Sequence, residues 1–160
     1  MSTTTPKNII LIGNPNTGKS TLFNCLGGFE NYTGKIKFDG KNLQNITGFL
    51  ETDPHFLSRL TGLEYLQLFC NARDVDSKNL RQKNLFDLPL NRFAESYSTG
   101  MKKKLALNAI LLQKNDVFIL DEPFNGVDIQ SNIVIKEILL KLKSLNKTVI
   151  LSSHIFSTLN

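Results

Sequence analysis

The fold is decided by residues 8–20, which read NIILIGNPNTGKS. The apolar run 9–12 predicts a buried strand over residues 8–12, and residues 13–20 then match the pattern G-x-x-x-x-G-K-[ST]. In such a loop the glycines allow successive backbone N–H groups to point at phosphate oxygens, and a helix beginning near Lys19 adds its positive end. The sequence therefore predicts a loop that binds a nucleoside triphosphate with Mg²⁺.

Each position of this loop has an expected role. Lys19 reaches the β- and γ-phosphates and counts among the candidate catalytic residues, and the Ser20 hydroxyl is a candidate Mg²⁺ ligand. The candidate nucleotide-binding residues of the loop are Asn14, Pro15, Asn16, Thr17, Gly18, Lys19, Ser20 and Thr21.

Composition excludes several classes of protein. The 160 residues contain 41% hydrophobic and 21% charged residues, which indicates one globular domain and excludes a disordered chain. The richest apolar runs are far shorter than the roughly 20 residues of a membrane-spanning helix, and residues 1–7 have no apolar run typical of a secretory signal. Cys25 and Cys70 form no disulfide framework and are expected to be small buried side chains in a reducing compartment. The net charge of +5 is compatible with nucleic acid, an anionic membrane surface or an anionic ligand, and does not choose among them.

Strands and helices alternate along the chain. Short apolar runs predict strands at 8–12, 46–50, 116–120 and 147–152, separated by helical patterns. This alternation predicts an α/β fold with a mostly parallel sheet flanked by helices. Residues 34–40 alternate polar and apolar side chains and end in Asp-Gly, which predicts a half-exposed strand with a tight turn.

Four further segments carry helical patterns. Thr61 and Glu64 have the spacing of a capping box, so a helix should begin there and reach about Ala72. A weaker pattern predicts a helix over 77–87, and longer helices are predicted over 101–113 and 129–145. In the last of these, the expected apolar stripe consists of Ile129, Ile133, Val134, Ile138, Leu142 and Leu145.

The phosphate loop by itself resembles that of small GTPases, which also need a D-x-x-G switch and an N-K-x-D guanine reader. Asp121 is followed by Glu-Pro-Phe, without the glycine, and Val149 stands where the guanine-reading Asp would be. A P-loop GTPase is therefore retained only as the weaker alternative.

Four later segments resemble the ATP-binding cassette (ABC) family, in the family's order. Residues 97–101 (YSTGM) stand where the family has its signature segment, and 116–123 (DVFILDEP) are similar to its Walker B strand. Residues 125–128 (NGVD) resemble the D-loop, and 152–154 (SSH) resemble the loop that carries the switch histidine. The resemblance extends from about residue 8 to residue 156.

The resemblance implies roles for individual side chains. Asp121, at the end of a buried strand, is the expected Mg²⁺ partner, and Glu122 is the expected base that orients and deprotonates the attacking water. His154 would contact the γ-phosphate. The γ-phosphate held by the opposite subunit would bind the start of the signature helix, at Ser98, Thr99 and Gly100.

The resemblance also implies a domain organisation. A single ABC ATPase domain would cover residues 1–160, with a P-loop NTPase core at 1–50 and 114–160 and a small helical subdomain at about 51–113. Relative to the family the chain is shortened at both ends and has no aromatic residue ahead of the phosphate loop. No Gln stands at 50–54, where the family's Q-loop falls, so Glu51 or Thr52 would take its place. Lys102, Lys103 and Lys104 are expected to form a solvated helix face.

The expected function follows the family's exporter branch, which the YSTGM signature resembles. The chain would bind ATP and Mg²⁺, pair head to tail with a second copy or a paralogous cassette, and hydrolyse ATP between the two subunits. Separate transmembrane permease subunits would dock on 51–58 and 61–87 at the cytoplasmic face of the cell membrane. The alternative is a non-transport ABC ATPase acting on ribosomes or nucleic acid, although nucleic acid is not the expected partner.

Overall fold

A parallel sheet forms the centre of the computed structural model, which describes residues 8–12, 18–31 and 33–153. Among these residues, four strands lie in the order β1–β6–β5–β4, and a separate antiparallel ribbon joins β2 to β3. The strands are β1 (Asn8–Ile12), β2 (Lys37–Phe38), β3 (Lys41–Asn42), β4 (Thr47–Leu50), β5 (Val117–Asp121) and β6 (Thr148–Ser153). The α-helices are α1 (Lys19–Gly27), α2 (Gly62–Asn71), α3 (Thr99–Leu112) and α4 (Ile129–Ser144). The α/β class and the four principal strands are confirmed, each strand end within one residue of its predicted position.

Strand β5 is buried over its whole length because helices cover both faces of the sheet. Its side chains alternate between the two faces, as a strand requires. Val117 and Ile119 pack with Phe23 of α1, whereas Phe118 and Leu120 pack with residues of α3 and α4. A continuous apolar run therefore marks a central strand here.

Helix α2 packs with α3 in a second apolar cluster outside the sheet. The predicted capping box is confirmed: the Thr61 hydroxyl accepts from the Glu64 N–H, and the Glu64 carboxylate accepts from the Thr61 N–H. At the other end of α2, the Arg73 guanidinium donates to the backbone carbonyls of Gln44, Asn45 and Thr47. Arg73 thus fastens the helical region to the segment that leads into β4.

The predicted helix over 77–87 is wrong. Asn79 and Asp87 have positive φ angles of 58° and 49°, which a right-handed helix does not accommodate, and the chain there forms turns. The Asn84 side chain bonds both the N–H and the carbonyl of Leu88, so a side chain competes successfully with helical bonding. The 34–40 strand is shorter than predicted, but Asp39 and Gly40 do form the tight turn of the ribbon, both with positive φ.

The apolar stripe predicted for α4 is wrong in part. Ile129, Ile133 and Leu145 are 82%, 54% and 55% exposed, whereas Ile135 is almost completely buried. The face that packs on the sheet consists of Ile135, Ile138, Leu139 and Leu142. Apolar residues lie on more than one face of this helix, so periodicity alone did not identify the buried one.

Candidate functional site

Strand β1, which directly precedes the phosphate-loop motif in the sequence, ends at the carboxyl edge of the parallel sheet. Leu11 of β1 and Asp121 of β5 both pair with Ser152 of β6, so the three residues lie side by side. Gly18, with a φ of 77°, is the N-cap of α1. Glycine adopts this left-handed conformation without steric cost, which suits the transition from loop to helix. Strand β1 ends at the same edge of the sheet as Asp121, and α1 begins only seven residues later in the chain.

Three residues of the predicted phosphate site form the first turn of α1. Thr21 is exposed in the first turn of α1. Lys19 and Ser20 begin the helix, but only their backbone positions are described. The remaining predicted residues of the loop and the switch loop lie outside the described residues: Asn14, Pro15, Asn16, Thr17 and His154.

Asp121 is a buried carboxylate, 5% exposed, bound by two hydroxyl groups. The Thr52 hydroxyl donates to Oδ2 at 2.7 Å, and the Ser152 hydroxyl donates to Oδ1. Thr52 lies just after β4 and Ser152 lies in β6, so the strands on both sides of β5 lead to these contacts. The two hydrogen bonds fix the orientation of the carboxylate.

Glu122 follows Asp121 with an unusual backbone conformation, a φ of 49°. Its N–H donates to the Ser152 hydroxyl at 3.0 Å, and its carbonyl accepts from the Lys103 ammonium at 2.9 Å. Two side chains from different elements therefore hold the two sides of this residue's backbone. A non-glycine residue with positive φ costs about 1–3 kcal/mol and persists only where its surroundings fix it.

The signature segment, residues 97–101, begins helix α3. Ser98 is the N-cap, and its hydroxyl accepts from the Met101 N–H at 3.3 Å. Ser98 and Thr99 are exposed, so this helix start is accessible from solvent. A Cβ atom at Gly100 would lie only 2.5 Å from the carbonyl oxygen of Gly126. Glycine is thus required at position 100 by the close approach of the D-loop backbone.

The three lysines after the signature segment do not form a solvated face, contrary to the prediction. Lys103 is 1% exposed and donates to the carbonyls of Glu122 and Asn125, at 2.9 and 3.0 Å. Burial lowers its pKa, against the opposing influence of nearby carboxylates. Lys104 donates to the Asp128 carboxylate at 3.0 Å, and Asp128 caps α4. The prediction failed because the acceptors lie on the turn after β5, far along the chain.

At the Q-loop position Thr52 contacts Asp121, whereas Glu51 pairs with His55 at 3.6 Å. Cys70 is buried as expected, and Cys25 is half-buried in α1. The sequence missed the bond from Thr52 to Asp121 because the two residues are 69 positions apart.

The donor set at this edge fits Mg²⁺. Asp121 presents a carboxylate whose orientation is fixed by two hydroxyl groups, and Ser20 would add a hydroxyl from the phosphate-loop motif. Carboxylate and hydroxyl oxygens are the hard ligands that Mg²⁺ takes, together with substrate phosphates.

Comparison with known proteins identifies the family. The profile described as "ABC transporter" matches residues 1–125. The chain belongs to the ABC transporter family, as an ATP-binding domain. Among its relatives, the bacitracin transport ATP-binding protein BcrA of Enterococcus faecalis is 33% identical over 92% of this chain and 52% of its own length. The ABC transporter ATP-binding protein NatA of Bacillus subtilis is 27% identical over 91% of this chain and 65% of its own length. This ABC domain thus spans about half to two thirds of those two relatives.

Solved structures agree with this identification. The structure of an ATP-binding subunit of an ABC transporter has a TM-score of 0.74 at 25% identity, covering 94% of this chain and 69% of its own. A dimeric ATP-binding cassette in a post-hydrolysis state, bound to ADP and Pi, has a TM-score of 0.78 at 23% identity. It covers 96% of this chain and 76% of its own, and it shows the common P-loop NTPase fold. Among the described residues of this ABC domain, no helix is both long and apolar enough to cross a membrane.

Proposed function

We propose that this ABC domain binds and hydrolyses ATP to drive an exporter. The observation that carries the proposal is the Asp121–Glu122 pair at the carboxyl end of β5. Strand β1, which precedes the phosphate-loop motif in the sequence, ends at the same edge of the sheet. The proposal treats residues 1–160 as one ATPase domain, with a core at 1–50 and 114–160 and a helical region at 51–113.

In this proposal residues 14–21, the last of which form the first turn of α1, bind the triphosphate. Backbone N–H groups and the helix dipole stabilise the phosphate charge there, and Lys19 neutralises the β- and γ-phosphates. Asp121 and Ser20 hold Mg²⁺, which supplies positive charge to the phosphate oxygens. The hydroxyl groups of Thr52 and Ser152 fix the orientation of the Asp121 carboxylate.

Glu122 is the proposed general base. It directly follows Asp121, so its backbone starts at the end of the strand that carries the metal-binding carboxylate. A carboxylate in this position accepts the proton of the attacking water and orients the water toward the γ-phosphate. His154 is proposed as a further contact to the γ-phosphate.

Two cassettes are proposed to pair head to tail, as a homodimer or with a paralogous subunit. The start of α3 is exposed at Ser98 and Thr99. The Ser98 hydroxyl accepts from the Met101 N–H, so in this proposal the N–H groups of Thr99 and Gly100 bind the γ-phosphate of the second subunit. The dimeric cassette with bound ADP and Pi gives precedent for pairing in this fold. Closure of the pair would exclude water from the phosphates.

The permease subunits are proposed to dock on the helical side of the domain. A groove of about 350 Å³ runs there between the sheet and the helical region. Aromatic side chains make part of its wall, including Phe29, Phe49, Tyr65 and Phe69. A helical segment of a separate membrane subunit would place apolar side chains in this groove, and the domain would then sit peripherally on the cytoplasmic face of the cell membrane.

The substitution Glu122→Gln tests the proposal. It removes the base and keeps the shape, so phosphate release from ATP should fall by about 10²–10⁴-fold while ATP binding persists. The trapped complex should elute as a dimer in size-exclusion chromatography with ATP and Mg²⁺. Glu137→Gln, on the exposed surface of α4, is the matched control and should keep wild-type turnover.

Three outcomes would contradict the proposal. Turnover unchanged in the Glu122→Gln protein would show that Glu122 is not the base. Tight ATP binding by a Lys19→Ala protein would exclude the phosphate-loop assignment. GTP competing more strongly than ATP would favour the GTPase alternative.

A further inference from the structure

Lys103 is a buried cation that the proposed reaction does not use. It lies in the first turns of α3, five residues after the N-cap Ser98, and is 1% exposed. A lysine buried to this degree is rare, because removing an ammonium group from water is costly unless hydrogen bonds replace the lost solvent. The acceptors that stabilise it therefore indicate what the residue does.

Two main-chain carbonyls of one turn accept hydrogen bonds from Lys103. The ammonium donates to Glu122 and to Asn125, and the Asn125 N–H donates to the Glu122 carbonyl at 3.1 Å. Glu122 and Asn125 are thus joined directly and also through Lys103. The lysine acts on the backbone of the turn that begins with the proposed base.

The backbone of Glu122 needs such support. Its φ of 49° lies in the left-handed region, which is unfavourable for a residue with a side chain. The Ser152 hydroxyl accepts the Glu122 N–H from the β6 side, and Lys103 binds its carbonyl from the α3 side. Because the side chain leaves from the Cα atom between these two groups, the two bonds together fix the direction of the Cα–Cβ bond from which the carboxylate extends.

A second contact joins α3 to the same turn. Gly100 packs so tightly on the Gly126 carbonyl that an added Cβ would lie at 2.5 Å. The start of α3 therefore contacts residues 122–126 through two of its residues, Gly100 and Lys103. A displacement of the helix start would be transmitted to the turn by direct contact.

We propose that Lys103 is a positioning residue for Glu122. Its hydrogen bond holds the Glu122 backbone in the left-handed conformation and couples the position of the Glu122 side chain to the start of α3. The inference rests on the proposed function, because it takes Glu122 as the base. It adds that the helix carrying the signature segment also sets the geometry of hydrolysis in its own subunit. An anion bound at residues 98–100 would then act on the base through α3.

The test compares three substitutions in the full chain. Lys103→Met has a similar length and no donors, Lys103→Arg keeps the donors, and Lys141→Met is the control on the exposed part of α4. Phosphate release gives kcat and KM, and titration with ATP gives the Kd. A misplacement of about 1 Å costs roughly 10²-fold in rate, so kcat of Lys103→Met should fall by that order, with KM and Kd within about threefold of wild type. Lys103→Arg should recover part of kcat.

A purely structural role for Lys103 would not produce this split between kcat and KM. A double variant provides the sharper measurement, because Lys103→Met should add little to the loss already caused by Glu122→Gln. Multiplicative losses in the double variant would overturn the proposal, as would a folded Lys103→Met protein with kcat within about threefold of wild type. If Lys103→Met does not fold, Lys103→Gln replaces it under the same two criteria.

The two proposals fail in different ways. Full activity in Glu122→Gln would remove the base itself and with it the proposed function. Loss of activity in Glu122→Gln combined with full activity in Lys103→Met would overturn only the role of Lys103.

Discussion

Replacing Ser152 by alanine should destabilise the fold more than any exposed serine substitution. Ser152 is completely buried in β6, and its hydroxyl joins two consecutive residues of the site. It donates to the Asp121 carboxylate and accepts the Glu122 N–H at 3.0 Å. Alanine removes both bonds and leaves the backbone of the sheet unchanged.

The size of the effect follows from these two bonds. A hydrogen bond to a charged group contributes about 1.5–3 kcal/mol, and removing the acceptor of a buried donor costs about 1–3 kcal/mol. Asp121 retains its bond from Thr52, which offsets part of the first loss. The free energy of unfolding should therefore fall by about 2–4 kcal/mol. With a urea m-value of about 2 kcal/mol/M, the unfolding midpoint should fall by roughly 1–2 M.

Urea unfolding without nucleotide, followed by circular dichroism, measures this change. Ser144→Ala is the matched control, since the Ser144 hydroxyl donates to the Lys141 carbonyl at an exposed position. Its free energy of unfolding should change by no more than about 0.5 kcal/mol. If Ser152→Ala and Ser144→Ala had equal midpoints, the bridge between Asp121 and Glu122 would contribute nothing, and the reasoning would be refuted.

Three further outcomes are expected. Thr52→Val removes the hydroxyl bound to Asp121, so the Mg²⁺ concentration for half-maximal ATP hydrolysis should rise by about tenfold. Thr52→Ser keeps a hydroxyl and should restore the wild-type Mg²⁺ concentration. Equal Mg²⁺ concentrations for the two variants would contradict this prediction. Thr61→Ala removes the capping box of α2 and should lower the free energy of unfolding by about 1 kcal/mol in urea titrations. The hydrogen bond from Lys147 lowers the pKa of Asp116 below its ordinary value of 3.8. The stability it gives is present above that value and lost as the pH falls below it, so Asp116→Asn should reduce the acid dependence of the urea midpoint.

Local signals predicted much of the fold. The principal strands of the sheet were found because buried parallel strands are short apolar runs between turn residues, and Thr61 with Glu64 marked the start of α2. The segment 77–87 was misread because side-chain bonding at Asn84 and positive φ angles override a weak helical pattern. Helix propensity scales do not include this competition between side-chain and backbone hydrogen bonds.

The candidate site was predicted unevenly for a related reason. Asp121 and Glu122 could be identified because they follow a recognisable strand, and the local motif gives their order. The partners of Asp121 could not be identified in this way. Thr52 follows β4 and Ser152 lies in β6, and only the order of the strands in the sheet brings their hydroxyl groups to Asp121. Glu51 or Thr52 was expected to take the place of the Q-loop glutamine, and the Thr52 hydroxyl contacts Asp121 directly.

Lys103 shows what the sequence does and does not contain about a buried charge. Residues three and four apart share a helix face, and Ala106 and Leu107 are both buried, so the position of Lys103 on the inner side of α3 was inferable in principle. The three consecutive lysines obscured this, because a charge run normally indicates a solvated surface. The acceptors, however, are main-chain carbonyl oxygens, which every residue has. No pattern of side chains at 122–125 could therefore have predicted them. A cation held by main-chain carbonyls is therefore recognised only once the turn is folded, and its function follows from which turn that is.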